Sequence, residues 1–265
     1  MPIFVSIKEK MKRLLLGILP FFLALQVQSE IIQVGTGNTY KPFTYVNEKN
    51  QAVGFDIDLL KILQKHDASL EFHFQPLPFT ALFVGLDSGK FDMLAHQIAK
   101  TKEREEKYIF SDFPYFNVFL NFIVAEGAKV QGFEDLKNAK IGAVVGSNQA
   151  LRIEEWAKKN AHLNVKVVYF KNYGAQLLAL ANKQVDALLD NPIVAKDYAD
   201  AQGVKIQVTD LTVQKTQIFF VFPKNKVALK DKVSNALQKA RAAGELKVLS
   251  EKYFNQDYTQ QEQQQ

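Results

Sequence analysis

Arg104 stands where an apolar strand gives way to charged chain, and a guanidinium in such a place suits one kind of work. Phe91, Met93 and Leu94 mark residues 91–95 as a short buried strand. Residues 96–102 read as the loop leaving its carboxyl end, and 103–107 as a charged helical turn before Tyr108, Ile109 and Phe110. Open α/β sheets bind ligands beyond the carboxyl ends of their strands. A guanidinium there offers a planar fork of donors matched to a carboxylate, and it keeps its charge at any physiological pH. The competing reading is a solvated turn in which Arg104 is one charge among Lys102, Glu103, Glu105 and Glu106, as charge runs usually are.

A second anion-binding feature lies in the turn Gly146, Ser147, Asn148, which leads from the apolar strand 141–145 into a helix over 149–160. The first N–H groups of a helix and the positive end of its dipole favour an anion. An ordinary helix cap by Ser147 or Asn148 uses the same residues, and the two readings are compatible. Other chemistry is absent. His66, His73, His96 and His162 lack metal-ligand spacing, and neither a nucleophile elbow nor a phosphate loop occurs. The glycines at 35 and 37 lack the rest of a dinucleotide fingerprint. No catalytic residue, metal ligand or cofactor is therefore expected. His96 falls in the loop before Arg104 and is read either as a ligand contact or as a core histidine.

The elements that must position these residues alternate. Strands are expected at 31–35, 70–75, 91–95, 118–124, 141–145, 165–170, 187–189 and 218–222, and helices at 55–66, 79–88, 149–160, 174–183 and within 230–254. Gly89 marks a left-handed stop after the second helix. Alternation of this kind implies mainly parallel sheets covered by helices on both faces, an α/β fold. Two similar α/β units without a flexible Gly or Ser linker suggest two lobes joined by extended crossovers, placed near 115–119 and 214–218. Lobe one is then 30–117 plus 217–265, and lobe two is 118–216.

Four motifs in order carry a resemblance: Gly35, Thr36, Tyr40, Pro42 and Phe43; Gly54, Phe55, Asp56 and Asp58; Phe91 and Asp92; and Thr101, Glu103, Arg104, Phe110 and Ser111. The chain resembles the family 3 solute-binding proteins, receptors of ABC importers for polar amino acids. That resemblance implies a two-lobed periplasmic binding protein fold with a two-strand hinge and a ligand closed into the cleft. It implies that Arg104 takes the ligand carboxylate, that Ser147 and Asn148 stand where relatives have a Gly-Thr pair, and that Tyr40 and Phe79 are aromatic walls. The ammonium side departs from the family: Gly37 stands at an aspartate position, Ala99 at a hydroxyl position five before the arginine, and Asn191 five after Asp186, where a second-lobe aspartate is expected. Backbone carbonyls near His96 and Gln97, or the Asp190–Asn191 corner, would have to serve, since an unpaired buried charge is very costly. Neighbours on a strand face opposite ways, so Asp190 substitutes only if the strand has ended. The run 100–111 is most similar to cystine-binding members. Asp190 also keeps open a periplasmic dehydratase-like enzyme, with a cleft carboxylate as acid or base, and a receptor feeding a chemosensor remains a third reading.

Compartment is read from the N-terminus. Lys8, Lys10, Lys12 and Arg13 precede an apolar run over 14–25, and polar residues follow, as in a signal peptide cleaved near Ser29. That run is too short for a comfortable bilayer anchor. With no cysteine, neither a lipid-modified cysteine nor a disulfide is available. Of 33 basic and 28 acidic residues, residues 1–29 hold four and one, leaving 29 against 27 and a net charge of +2. No basic patch interleaved with aromatics suggests nucleic acid. The expected protein is a periplasmic monomer that binds a small amino acid and meets an ABC permease.

Overall fold

The computed structural model describes residues 31–260. In chain order the strands are β1 (Ile31–Gly37), β2 (Thr39–Tyr40), β3 (Thr44–Val46), β4 (Ala52–Val53), β5 (Glu71–Leu77), β6 (Met93–Ala99), β7 (Tyr108–Phe110), β8 (Phe116–Ala125), β9 (Lys140–Val144), β10 (Lys166–Phe170), β11 (Ala187–Asp190) and β12 (Ile206–Pro223). The helices are α1 (Phe55–His66), α2 (Phe79–Asp87), α3 (Lys102–Lys107), α4 (Asn148–Lys159), α5 (Tyr173–Ala181), α6 (Pro192–Gln202), α7 (Val227–Ala242) and α8 (Glu245–Phe254).

The main sheet runs β10-β9-β11-β8-β12-β6-β1-β5, with β7 also paired to β12. Pairings at both ends of this order are parallel, as the alternation of strands and helices predicts. Antiparallel pairing is confined to the middle, where β8 and β12 lie side by side from Phe116↔Ile218 to Ala125↔Ile206. β12 continues past Ile218 to pair antiparallel with β6 and β7, so β8 and β12 stand between the two parallel regions. Residues 116–119 and 214–218, near which crossovers are expected, lie in these two strands, and Tyr115 just precedes β8. β12 is far longer than the expected 218–222, because its first half alternates half-buried and exposed residues with polar side chains such as Gln207, Gln214 and Lys215 and hides the apolar run a sequence reading looks for.

Helix α1 buries Phe55, Ile57, Leu59, Leu60 and Leu63, and carries Asp56 and Asp58 in its first turn and Lys65 and His66 in its last, in accord with the helix dipole. It starts at Gly54, whose φ of 123° favours glycine; a Cβ there would lie 2.3 Å from the Phe43 carbonyl oxygen. α1 packs on α7 and α8, so residues from the far end of the chain complete this region. Phe43, Phe55, Phe116 and Phe254 form a ring cluster with centroids 5.1 to 6.1 Å apart where α1, β8 and α8 meet. Alternation along β6 sends Met93 and Ala95 into this core and Leu94 and Ile98 into a second cluster with Leu82, Phe91 and Phe219 under α2. The tail is tied down as well. Asn117 N–H and Nδ2 donate to the Tyr258 carbonyl, and Nδ2 also reaches that of Gln260.

Several expectations shift by a residue or more. β6 runs on through Ala99 where a loop was expected, and Asn148 lies in the first turn of α4. α6 was not foreseen, although Asn191 followed by Pro192 is a cap and first-turn signal. The signal peptide lies outside the described residues. Among those described, no helix is long and apolar enough to cross a membrane.

Phe116 is 1% exposed and touches three rings of the cluster. Phe116→Ala is expected to lower unfolding free energy by about 3 to 5 kcal/mol, read as a lower urea midpoint. A shift below about 1 kcal/mol would show that this cluster is not what joins α1 and α8 to the central strands.

Candidate functional site

A cavity of about 320 Å³ opens between the carboxyl ends of β1, β5 and β6 on one side and the starts of α4 and α5, the end of β11 and Tyr198 of α6 on the other. Arg104 is 9% exposed and reaches it from α3. Thr101 caps that helix by accepting from the Arg104 N–H at 3.3 Å, which fixes where the side chain leaves the backbone. Its Nη1 donates to the Ala99 carbonyl at 2.9 Å and its Nη2 to the Gly146 carbonyl at 3.1 Å, so one side chain links β6 to the loop between β9 and α4. The guanidinium carbon lies 4.9 Å from the centroid of Phe83. A guanidinium has five N–H donors, and these two bonds leave three. Burial lowers its pKa to about 10, so it stays charged at neutral pH.

Opposite stands Asp190, 2% exposed at the end of β11. Its Oδ1 accepts from the Asn191 N–H at 2.6 Å, from Gln149 Nε2 at 3.0 Å and from the Tyr40 hydroxyl at 3.4 Å. These bonds leave Oδ2 aside. Burial raises the carboxyl to about 6, with the three hydrogen bonds opposing the rise. The strand does end at Asp190, the condition under which this residue can face the cavity. Asn191 instead caps α6, its Oδ1 accepting from the Ile193 N–H at 2.9 Å, and it does not line the cavity.

Gln97 is the one β6 residue with positive φ, at 49°. Such backbone costs on the order of 1 to 3 kcal/mol and persists only where its surroundings hold it. Asp56 does the holding from the first turn of α1. Its Oδ2 accepts the Gln97 N–H at 3.1 Å and the Tyr115 hydroxyl at 2.9 Å, and its Oδ1 accepts Gln97 Nε2 at 2.8 Å. Asp56 is fully buried, and burial pushes its carboxyl up to about 7 against those bonds.

Of the residues proposed from sequence, Tyr40, Phe79, Gln97, Arg104, Ser147, Asn148 and Asp190 line this one cavity, whereas Ala99 and Asn191 do not. Ala99 contributes only its carbonyl to Arg104. Ser147 is the cap of α4, accepting from the Ala150 N–H at 3.0 Å. Sequence reasoning missed Gln149, Tyr173 and Tyr198. The Asn172 cap before Tyr173, matching Ser147 before Asn148, was the available signal for the second of these. Gln97 Oε1, Asn148 Oδ1 and the Tyr173 hydroxyl are buried here without a protein partner, which marks the cavity as one for a polar molecule. Among the described residues no group of three or more His, Cys, Asp or Glu could hold a metal ion.

A two-lobed α/β fold with a polar cleft between lobes defines a solute-binding protein. The chain belongs to the bacterial extracellular solute-binding proteins, family 3, whose pattern matches residues 32–256. It is 30% identical over 240 residues to the L-cystine-binding protein TcyK of Bacillus subtilis, covering 89% of this chain and 88% of that one. Among solved structures it is similar to a putative L-cystine ABC transporter protein from Listeria monocytogenes, with a TM-score of 0.78, 29% identity and coverage of 87% and 98% of the two chains. It is also similar to an ancestral amino acid-binding protein, AncCDT-1, described as a precursor of cyclohexadienyl dehydratase, with a TM-score of 0.72, 28% identity and coverage of 93% and 98%.

The buried carboxyls predict a pH dependence. Asp56 rises from 3.8 unfolded to about 7 folded, so between those values the folded state binds more protons and stability falls as pH rises. Asp190 acts in the same direction up to about 6, while His96, depressed to about 3 by burial and by Arg104, acts in the opposite one. Asp56→Asn removes one titration only. Its melting temperature should decline less than that of the wild type between pH 4.5 and 7.5, as followed by calorimetry; parallel curves would contradict the assignment.

Proposed function

We propose that the protein is a periplasmic receptor that closes around a polar amino acid and presents it to an ABC permease. What carries this reading is the pairing, in one buried cavity, of Arg104 on one side with Asp190 on the other. A zwitterion removed from water needs a partner for each charge. Three uncommitted guanidinium donors suit the carboxylate, and Asp190 Oδ2 suits the ammonium. N–H groups at the Ser147-capped start of α4 add to the carboxylate side. Tyr40 and Phe79 flank the remainder of the ligand.

The same reading takes the lobes as 30–117 with 217–265, and 118–216, hinged at β8 and β12. Binding across the cleft would favour the closed arrangement, in which Arg104 touches Gly146 and Tyr40 touches Asp190. The names of the relatives favour cystine as the candidate ligand, residues 1–29 serve as the export signal, and the receptor works as a monomer without cofactor.

Arg104→Lys keeps the charge and loses the fork. Affinity for the amino acid should weaken by about 2 kcal/mol or more, and calorimetric binding equal to wild type would remove Arg104 from the site.

A dehydratase-like enzyme is the second reading, favoured by one observation: Asp190 is a buried carboxyl raised to about 6, in the range useful to an acid or base. Candidate ligands incubated with the protein are expected back unchanged by mass spectrometry. Turnover that Asp190→Asn abolishes would establish the enzyme instead.

A further inference from the structure

Gly37 ends β1 on the wall of the cavity, and no side chain fits there. A Cβ on it would lie 2.1 Å from His96 Cε1, 2.2 Å from His96 Nδ1 and 2.7 Å from Thr44 Oγ1. The imidazole of His96 fills that volume. It is 8% exposed, lines the cavity, and packs against the rings of Tyr40 and Phe79 at centroid distances of 5.2 and 5.6 Å.

Its proton can be placed. Nδ1 lies 2.6 Å from Thr44 Oγ1, and Thr44 is fully buried. Among the described residues this is the bond the Thr44 hydroxyl makes. A buried hydroxyl proton left without an acceptor costs about 1 to 3 kcal/mol, so Thr44 donates and Nδ1 accepts. The ring proton then sits on Nε2, which bonds to no protein atom among the described residues. Burial and the nearby Arg104 push the imidazole down to about 3, so the ring is neutral at physiological pH. Asp190 is the one carboxylate among the residues lining this cavity, while the cations are Arg104 and, at its exposed rim, Lys171. An amino acid's ammonium and carboxylate would engage Asp190 and Arg104. Facing the rest of the ligand are then a neutral N–H donor, a lysine and the unpaired oxygens of Gln97, Asn148 and Tyr173, none of which carries a full negative charge.

We propose that His96, seated in the space Gly37 leaves open, is a specificity-determining residue that donates from Nε2 to a hydrogen-bond acceptor on the ligand side chain, and that the Gly37–His96 pair excludes amino acids with cationic side chains. The proposal rests on the amino-acid reading of the cleft. A guanidinium or ammonium side chain would meet a donor and a like charge with no carboxylate left to pair it, whereas an amide or carboxylate would meet matching donors, as would the second α-carboxylate of cystine, which also accompanies that ligand's distal ammonium.

Two measurements decide it. In the full mature chain labelled with ¹⁵N-histidine, His96 should show the neutral tautomer protonated at Nε2 from pH 5 to 8. A proton on Nδ1, or a charged ring, overturns the proposal whatever the ligand. Calorimetry with glutamine, glutamate, cystine, arginine and lysine should find arginine and lysine at least about tenfold weaker than the best of the other three, a difference of about 1.4 kcal/mol. The double variant Gly37→Asp with His96→Gly puts a carboxylate into the volume the ring gives up and should move that ratio toward arginine by about tenfold or more. Gly37→Asp alone, with the ring still in place, should lose binding of all five. Arginine binding on a par with glutamine in the wild type, or an unchanged ratio in a folded double variant, overturns this proposal and leaves the receptor reading standing. A folded wild type that binds none of the five overturns both.

Discussion

One buried positive charge organises the cleft. A guanidinium as enclosed as that of Arg104 cannot be left unpaired, and the protein meets the requirement with carbonyl oxygens from opposite sides, Ala99 from β6 and Gly146 from the turn before α4. Each is a partial charge where a full one is absent, so the site remains short of negative charge near Arg104. The positive φ of Gly146, at 71°, lets that turn bring its carbonyl inward. On the proposed reading a ligand carboxylate makes up the shortfall, and anything that separates β6 from the α4 turn weakens the arginine's hold on both carbonyls.

Around that charge the supporting residues work at one remove. Asp56 never reaches the cavity, yet with Tyr115 it pins the backbone of Gln97 in a conformation a non-glycine residue avoids. The buried acid stays hydrogen-bonded in either protonation state, and this lets a helix on the outside of the sheet set the shape of the wall. On the far side, Asn191 does for α6 what Ser147 does for α4: each caps a helix that begins at the edge of the cleft. Capping and cavity lining thus coincide at Ser147, which is why the two readings of 146–148 could not be separated by spacing.

Much of this was legible in the chain. Apolar runs with strand or helix period gave β1, α1, α2 and β9 nearly to the residue, because those elements bury one continuous face. β12 was half hidden, since its first half is polar on alternate positions. α6 went unread because Asp190 and Asn191 were weighed as ligand residues and not as a strand end and a cap. Counting five residues from Asp186 pointed to Asn191. Strand geometry decides otherwise, as β11 stops at Asp190 and the next side chain turns back onto its own helix. Gly37 looked like a loss by sequence alone. Only coordinates show that His96 stands in its place, because the two residues are 59 positions apart and meet through strand pairing of β1 with β6.

The way α7, α8 and the tail return to the first strands bears on how the chain acquires its fold. Tyr253 bonds Asp58, Glu245 bonds His66, and the carbonyls of Tyr258 and Gln260 hold Asn117, each spanning well over a hundred residues of sequence. Loop closure must precede such contacts, so topologies rich in them fold slowly for their size. The core around α1 is therefore incomplete until α7 and α8 are in place against it. A chain that matures in this order stays extended for longer after synthesis, the condition in which a polypeptide can still be threaded across a membrane.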